Sequence, residues 1–207
     1  MMRILVLAPH VDDGEMGCGG SIARFIEEGS EVYYAGFSTC GDSLPEGFPE
    51  GTLRKELMEA TKVLGIDEDN VYVFDYPVRR HPENRQEILE NLVELRKELN
   101  PELVFLPSST DVHQDHHTVY QEGVRAFTNT RMLGYEFVWN NFSLNLNSFI
   151  HLKPEHVEAK IKAIEEYKSQ KGRHYANQEF LKNLARIRGA QAGVRYAEAF
   201  ETIRWII

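Results

Sequence analysis

Arg3-Ile4-Leu5-Val6-Leu7-Ala8-Pro9-His10-Val11-Asp12-Asp13-Gly14-Glu15 opens as a short apolar run and then breaks into a polar cluster. A run this short and this rich in branched residues reads as a buried strand, Arg3 to Ala8. Gly17 to Glu28 follows with Ile22, Phe25 and Ile26 at helical spacing, and Gly29 ends it. Val32 to Phe37 reads as the next strand. The same alternation continues: helix at Thr52–Leu64, strand at Val71–Tyr76, helix at Asn84–Leu99, strand at Leu103–Leu106, helix at His113–Phe127. In Asn84–Leu99 the stripe is Ile88, Leu92, Leu95 and Leu99. A βαβα order of this kind predicts an α/β protein with a mostly parallel central sheet and helices on both faces, a Rossmann-like three-layer sandwich.

The last third is less regular. Tyr135–Trp139 and Phe149–Leu152 read as short strands, Val157–Lys168 and Gln178–Arg188 as helices, and Phe200–Ile206 as a closing strand. No linker, repeat or low-complexity tract separates this part. It is expected to cap the sheet within a single domain, residues 1–207.

The 207 residues carry 23 Lys and Arg against 32 Asp and Glu, a formal charge of −9. Such a surface repels phosphate backbones and anionic lipid, so neither nucleic acid nor membrane is an expected partner. The longest basic patch, Arg79-Arg80-His81, reads as a solvated loop when taken alone. The two cysteines, Cys18 and Cys40, are too few for a disulfide scaffold and read as reduced thiols. The first apolar run is too short for a signal peptide or a membrane span, and a cytoplasmic protein is expected. A homo-oligomer is compatible with the sequence, but no apolar stripe selects an assembly.

Ligands in open parallel sheets sit beyond the carboxyl ends of the strands. Two such places are rich in chemistry: His10-Val11-Asp12-Asp13-Gly14-Glu15 after the first strand, and Asp111-Val112-His113-Gln114-Asp115-His116-His117 after the strand ending near Leu106. Imidazole and carboxylate suit zinc, which in catalytic sites keeps three protein ligands and one open position. His10 and Asp13 lie three apart on a tight turn. His113 and His116 lie three apart at a helix start, one above the other. Together the two strand ends offer two or three nitrogens and a carboxylate to one ion. A zinc-bound water has a pKa of about 7. Asp12 can take its proton, and an imidazole opposite can donate to an oxyanion or protonate a leaving nitrogen. These parts describe hydrolysis of an amide or ester. His81, His117, His151, His156 and His174 are read as surface or supporting residues.

At these residues the chain resembles the LmbE/PIG-L family of zinc-dependent de-N-acetylases. The family's His-Pro-Asp-Asp-Glu segment and Gly-Cys-Gly-Gly helix start read here as His10-Val11-Asp12-Asp13-Gly14-Glu15-Met16-Gly17-Cys18-Gly19-Gly20. Its His-x-Asp-His motif reads His113-Gln114-Asp115-His116. The likeness extends to Arg54-x-Glu56, Lys168-Ser169-Gln170, Arg188-Gly189 and Tyr196-Ala197-Glu198-Ala199-Phe200. It implies one zinc per chain held by His10, Asp13 and His116, with Asp12 as general base. It further implies His113 at the oxyanion, Asp115 orienting an imidazole, and Arg54 at substrate hydroxyls. Two positions depart from the pattern: Val11 stands for the proline, and Gly14 for the glutamate, with Glu15 one place later.

The resemblance implies a hydrolase that removes acetyl from an N-acetylated sugar, an N-acetylglucosamine-type conjugate, with zinc-bound water as nucleophile. Arg79 follows the third strand on the ligand side, where an arginine can meet a phosphate or carboxylate. Trp139 can stack on a sugar face. The Gly- and Pro-rich loop Thr39–Gly51 can close over the substrate. Two other readings are a sugar-binding relative that has lost catalysis, prompted by Gly14, and a nucleotide-binding Rossmann oxidoreductase, prompted by Gly17-x-Gly19-Gly20. The second lacks the glycine turn and the acidic end of strand two that its fingerprint requires.

Overall fold

The computed structural model describes residues 1–173 and 175–207, so the reading of His174 lies outside the described residues. Strands and helices alternate from the start: β1 (Arg3–Ala8), α1 (Asp13–Glu27), β2 (Glu31–Gly36), α2 (Thr52–Leu64), β3 (Val71–Val73), α3 (Arg85–Leu99), β4 (Leu103–Pro107) and α4 (Gln114–Ala126). β5 (Arg131–Tyr135), β6 (Ser148–Leu152), α5 (Pro154–Glu165), α6 (Gln178–Gln191) and β7 (Tyr196–Arg204) complete the chain.

Among the described residues these strands form one seven-stranded sheet in the order β3-β2-β1-β4-β5-β7-β6. The five strands from β3 to β5 are parallel. β7 runs antiparallel to both β5 and β6. Strand β1 explains the layering. Its Ile4, Val6 and Ala8 face a core built with α1, α2, α5 and α6. Its Leu5 and Leu7 face a second core built with α3 and α4. Both sides of the strand are therefore buried, as its unbroken apolar run requires. The mixed α/β class and three layers match the expectation. The last third adds two strands to the sheet's edge and covers one face with α5 and α6.

Several elements differ from the sequence reading: β7 runs over Tyr196–Arg204 and not Phe200–Ile206, α5 over Pro154–Glu165 and not Val157–Lys168, and three further shifts bear on the site. Helix α1 begins at Asp13, not Gly17, and its glycines lie inside it. A Cβ on Gly17 would fall 2.5 Å from the Tyr135 ring, and one on Gly20 2.6 Å from Leu152, so the bare backbone lets α1 lie close on the sheet. The strand expected at Tyr135–Trp139 lies earlier, at Arg131–Tyr135. After it, the Phe137 carbonyl accepts from the Asn140 and Asn141 amides, both at 2.9 Å, and the Asn141 side chain accepts the Phe137 amide at 2.8 Å, which bends the aromatic run into a turn. Strand β3 stops at Val73, although Phe74 and Tyr76 still donate to the Gly36 and Phe37 carbonyls.

The last third is anchored by buried carboxylates. Glu198 on β7 accepts from the Gly20 and Ser21 amides at 3.0 and 2.7 Å and pairs with Lys160 at 2.6 Å. Glu56 on α2 accepts the Ser169 amide and hydroxyl at 2.9 and 2.6 Å. Glu136 and Arg188 form a two-pronged pair at 2.7 and 2.6 Å. No helix among the described residues is long and apolar enough to cross a membrane.

Candidate active site

Strands β1 and β4 are neighbours, and the chain leaves β1 toward β2 on one side and reaches β4 on the other. Ligand sites in parallel sheets form at such a switch point, beyond the carboxyl ends of the strands. Here it joins the two polar clusters. They line a pocket of 310 Å³ through His10, Asp12, Asp13, His113 and His116.

Three donor atoms converge there. Asp13 Oδ2 lies 3.0 Å from His10 Nδ1 and 3.2 Å from His116 Nε2, and the two nitrogens are 3.3 Å apart. Ligands about 2.0–2.1 Å from a tetrahedral zinc stand roughly 3.3 Å from one another, so the spacing and the N, N, O donor set fit one such ion. A ring nitrogen of His113 lies within 4.8 Å of the other two histidines' ligand atoms.

The outer nitrogens of both imidazoles meet carboxylates. His10 Nε2 is 3.0 Å from Asp115 Oδ2, and His116 Nδ1 is 2.7 Å from Asp111 Oδ2. Such partners fix the tautomer and raise the basicity of the inner nitrogen. Asp115 in turn accepts the Arg79 amide at 2.5 Å and the His81 amide at 3.1 Å. The Arg79 backbone takes a left-handed φ of 67° to deliver its amide. Asp111 also accepts the His113 amide at 2.9 Å.

Burial opposes charge on every group in the pocket, and the neighbours decide the outcome. For His10, burial is outweighed by Asp13 and Asp115, which hold the ring at about 9. For His116, burial is outweighed by Asp13 and Asp111, and the ring reaches about 10. Burial also opposes ionisation of Asp13, but His116 and His10 hold its carboxylate well below the usual range. Burial is again overcome at Asp115, where the His10 hydrogen bond and the charge of His81 bring the carboxyl to about 2. Asp12 moves the other way: burial and Asp13 raise it, against a smaller pull from Arg173, whose guanidinium is 3.5 Å away. His113 is pushed down to about 4 by burial and by the charges of His116 and His10. Its Nδ1 accepts the Asp115 amide at 3.2 Å as the cap of α4. In the neutral ring the hydrogen therefore sits on Nε2.

The remaining expected residues divide. Arg79 and Trp139 line the pocket. Trp139 stacks on Tyr175 with ring centres 4.0 Å apart. Arg54 is exposed on α2 and lines a neighbouring cavity with Asp75 and the loop after β2. Arg80 turns out to Glu83, 2.7 Å away. From the Thr39–Gly51 loop, Cys40 and Ser43 reach the pocket. Cys18 is buried within α1, at a kink.

Glu15 does not replace a carboxylate at Gly14. It is buried and accepts from the Tyr34 and Tyr167 hydroxyls at 2.5 and 2.9 Å, with burial lifting its carboxyl to about 8. Position 14 itself has no room: a Cβ there would lie 2.4 Å from the Tyr34 ring.

Sequence reasoning assigned no role to Arg173, Tyr175 or Gln170, which line the pocket, or to Asp111, which meets the outer nitrogen of His116. Of the two readings of His81, surface or support, the second holds: His81 is wholly buried and its amide braces Asp115. Asp111 lay in the quoted cluster, five residues before His116. The others come from distant segments, and only Gln170 carried a signal, within Lys168-Ser169-Gln170. His117 and His151 are exposed, and His156 is buried beside Glu27 at 2.7 Å.

The family described as PIG-L, GlcNAc-PI de-N-acetylase, matches residues 5–127. An uncharacterized deacetylase of Escherichia coli strain K12, YaiS, is 31% identical over 172 residues, 80% of this chain and 90% of that protein. Among solved structures, the conserved protein TT1542 from Thermus thermophilus superposes with a TM-score of 0.82 at 28% identity, covering 100% of this chain and 97% of that one. The N,N'-diacetylchitobiose deacetylase of Pyrococcus horikoshii gives a TM-score of 0.80 at 24% identity, covering 98% and 84%. Through a match that spans both polar clusters, the chain belongs to the PIG-L, or LmbE-like, family of deacetylases.

Proposed function

We propose that the chain is a zinc-dependent hydrolase that removes the acetyl group from an N-acetylated sugar, with one metal per chain held by His10, Asp13 and His116. The observation that carries this reading is the convergence of those three donor atoms within 3.3 Å of one another beside Asp12 and His113. The bound metal supplies a Lewis acid and brings water within reach of deprotonation at neutral pH.

The chain's own residues do the rest. Asp12 is the base. Burial and Asp13 make its carboxylate more basic than a free one, which suits it to take a proton from water. His113 is the electrophile. Its neutral ring aims its one N–H at the pocket because Nδ1 is occupied by the Asp115 amide, and that donor meets the carbonyl oxygen as charge develops. As the C–N bond breaks, protonated Asp12 returns its proton to the departing nitrogen, leaving a free amine and acetic acid, which ionises to acetate by giving its proton to solvent or to the amine. Asp111 and Asp115 keep the two imidazoles in the ligating tautomer. The Trp139–Tyr175 stack offers a flat wall for a sugar ring, and Arg79 and Asn140 offer donors for its hydroxyls.

Relatives support the substrate class, since one solved neighbour is an N,N'-diacetylchitobiose deacetylase. Acetate release from N-acetylglucosamine and N,N'-diacetylchitobiose, with and without a chelator, tests the reading. Chelator-sensitive release is expected, and failure to release acetate from either sugar with zinc added contradicts it.

A further inference from the structure

A second cavity, of 220 Å³, adjoins the active-site pocket. Asp12, Met16 and Gln170 line both, so the two share a wall at the proposed base. Most of the buried lining is apolar: Met16, Ile161, Ile164 and Leu181, with the half-buried Ala176; Gln170 is its buried polar member. Tyr167 adds its ring, while its hydroxyl is engaged by the Val11 carbonyl at 2.6 Å and by Glu15 at 2.9 Å. The exposed members are Gly172 and the polar Glu165, Lys171, Asn177 and Gln178.

Geometry restricts what can enter. For Asp12 and His113 both to serve one amide, its carbonyl must lie between them. With the sugar on the Trp139 and Arg79 side proposed above, the acyl arm is the one left facing Asp12 and Met16, which line both cavities. An acetyl methyl needs none of that volume. An apolar cavity of about 150 Å³ is enough to hold a six-carbon ring, and this one is larger.

We propose that the cavity receives the alkyl part of the substrate, and that the chain hydrolyses N-acyl sugars with chains of up to about six carbons as well as N-acetyl sugars. This rests on the deacetylase reading and adds a specificity to the same site. The reaction is unchanged: water forms the new C–O bond, the C–N bond breaks, and the products are the carboxylate and the amine. Each buried methylene strengthens binding about fourfold, so KM falls along the series until the cavity is full.

The test is a series of N-acetyl, N-butyryl, N-hexanoyl and N-decanoyl glucosamine, read by the amine released from the zinc-loaded enzyme. Expected is a KM for hexanoyl at least tenfold below that for acetyl, with decanoyl falling off again. Ala176→Phe narrows the cavity from its half-buried side and should lower kcat/KM for hexanoyl at least tenfold while acetyl changes less than twofold. Ala176→Leu is the milder variant should the first fail to fold. Calorimetry gives a readout without turnover: hexanamide should bind saturably to the wild type and at least tenfold more weakly to the variant, with acetamide as control. Acetyl turnover with butyryl and hexanoyl cut a hundredfold overturns the acyl cavity alone. So does a hexanoyl-to-acetyl ratio that both variants leave unchanged. No release from any member, acetyl included, overturns the deacetylase reading and this one with it.

Discussion

Asp111 Oδ2 lies 2.7 Å from Nδ1 of His116, on the side of the ring opposite the nitrogen that faces Asp13 and His10. That contact fixes which nitrogen is free to ligate. Asp111→Asn keeps the shape and removes the charge. Metal affinity should fall about 10- to 100-fold, measured by competition with a chromogenic chelator. Affinity unchanged within twofold would detach Asp111 from the metal site.

Asp12 is the residue assigned to proton transfer and not to the ion. Asp12→Asn should lower kcat by about 10²- to 10⁴-fold while elemental analysis still finds metal at the wild-type level. Loss of metal together with activity would make Asp12 a ligand instead.

In the metal-free protein His10 and His116 are raised to about 9 and 10 despite burial, because Asp13, Asp115 and Asp111 face them. Two consequences have definite signs. A raised imidazole contributes stability that is fully present below its ordinary value of 6.5 and is lost as pH rises through about 9 to 10. The metal-free protein should therefore lose thermal stability across that window. Metal binding displaces those protons, so apparent affinity should rise with pH over the same range. Calorimetric titration at pH 7.5 in two buffers of different ionisation enthalpy reads the protons directly, and buffer-independent heats would contradict the assignment.

Gly14 stands where the resembling pattern has glutamate, and the Tyr34 ring fills the space a side chain would need. The same tyrosine donates toward Glu15 and the Val11 carbonyl, and its oxygen accepts the Gly14 amide at 3.1 Å. Gly14→Ala should destabilise by about 1–3 kcal/mol, seen as a lowered Tm, because Tyr34 is held on all of these sides. An unchanged Tm would mean that the ring shifts freely.

The parallel half of the fold was legible because its strands are continuous apolar runs and its helices carry clean stripes such as Ile88, Leu92, Leu95 and Leu99. The two polar clusters were legible because strand order alone brings the ends of β1 and β4 together. Strand β5 was misplaced because Phe137 and Trp139 look like strand residues, while the turn is made by the Asn140 and Asn141 amides and the Asn141 side chain. Arg173 and Tyr175 left no local signal: they reach the pocket from a connection some 160 residues from Asp12, and only the packing of α5 and α6 puts them there. The apolar period that marks α1 begins only at Ile22, so the largely polar first turn from Asp13 to Met16 carries no helical signal, and Gly17 and Gly20 let the helix touch Tyr135 and Leu152.

The central claim is that His10, Asp13 and His116 hold one metal ion on which amide hydrolysis depends. The most direct measurement is metal content and acetate release on the same purified samples of wild type and His116→Ala. The account predicts about one zinc per wild-type chain with chelator-sensitive release, and loss of both in the variant. A variant that keeps its zinc, or a wild type that releases acetate with none bound, would contradict it.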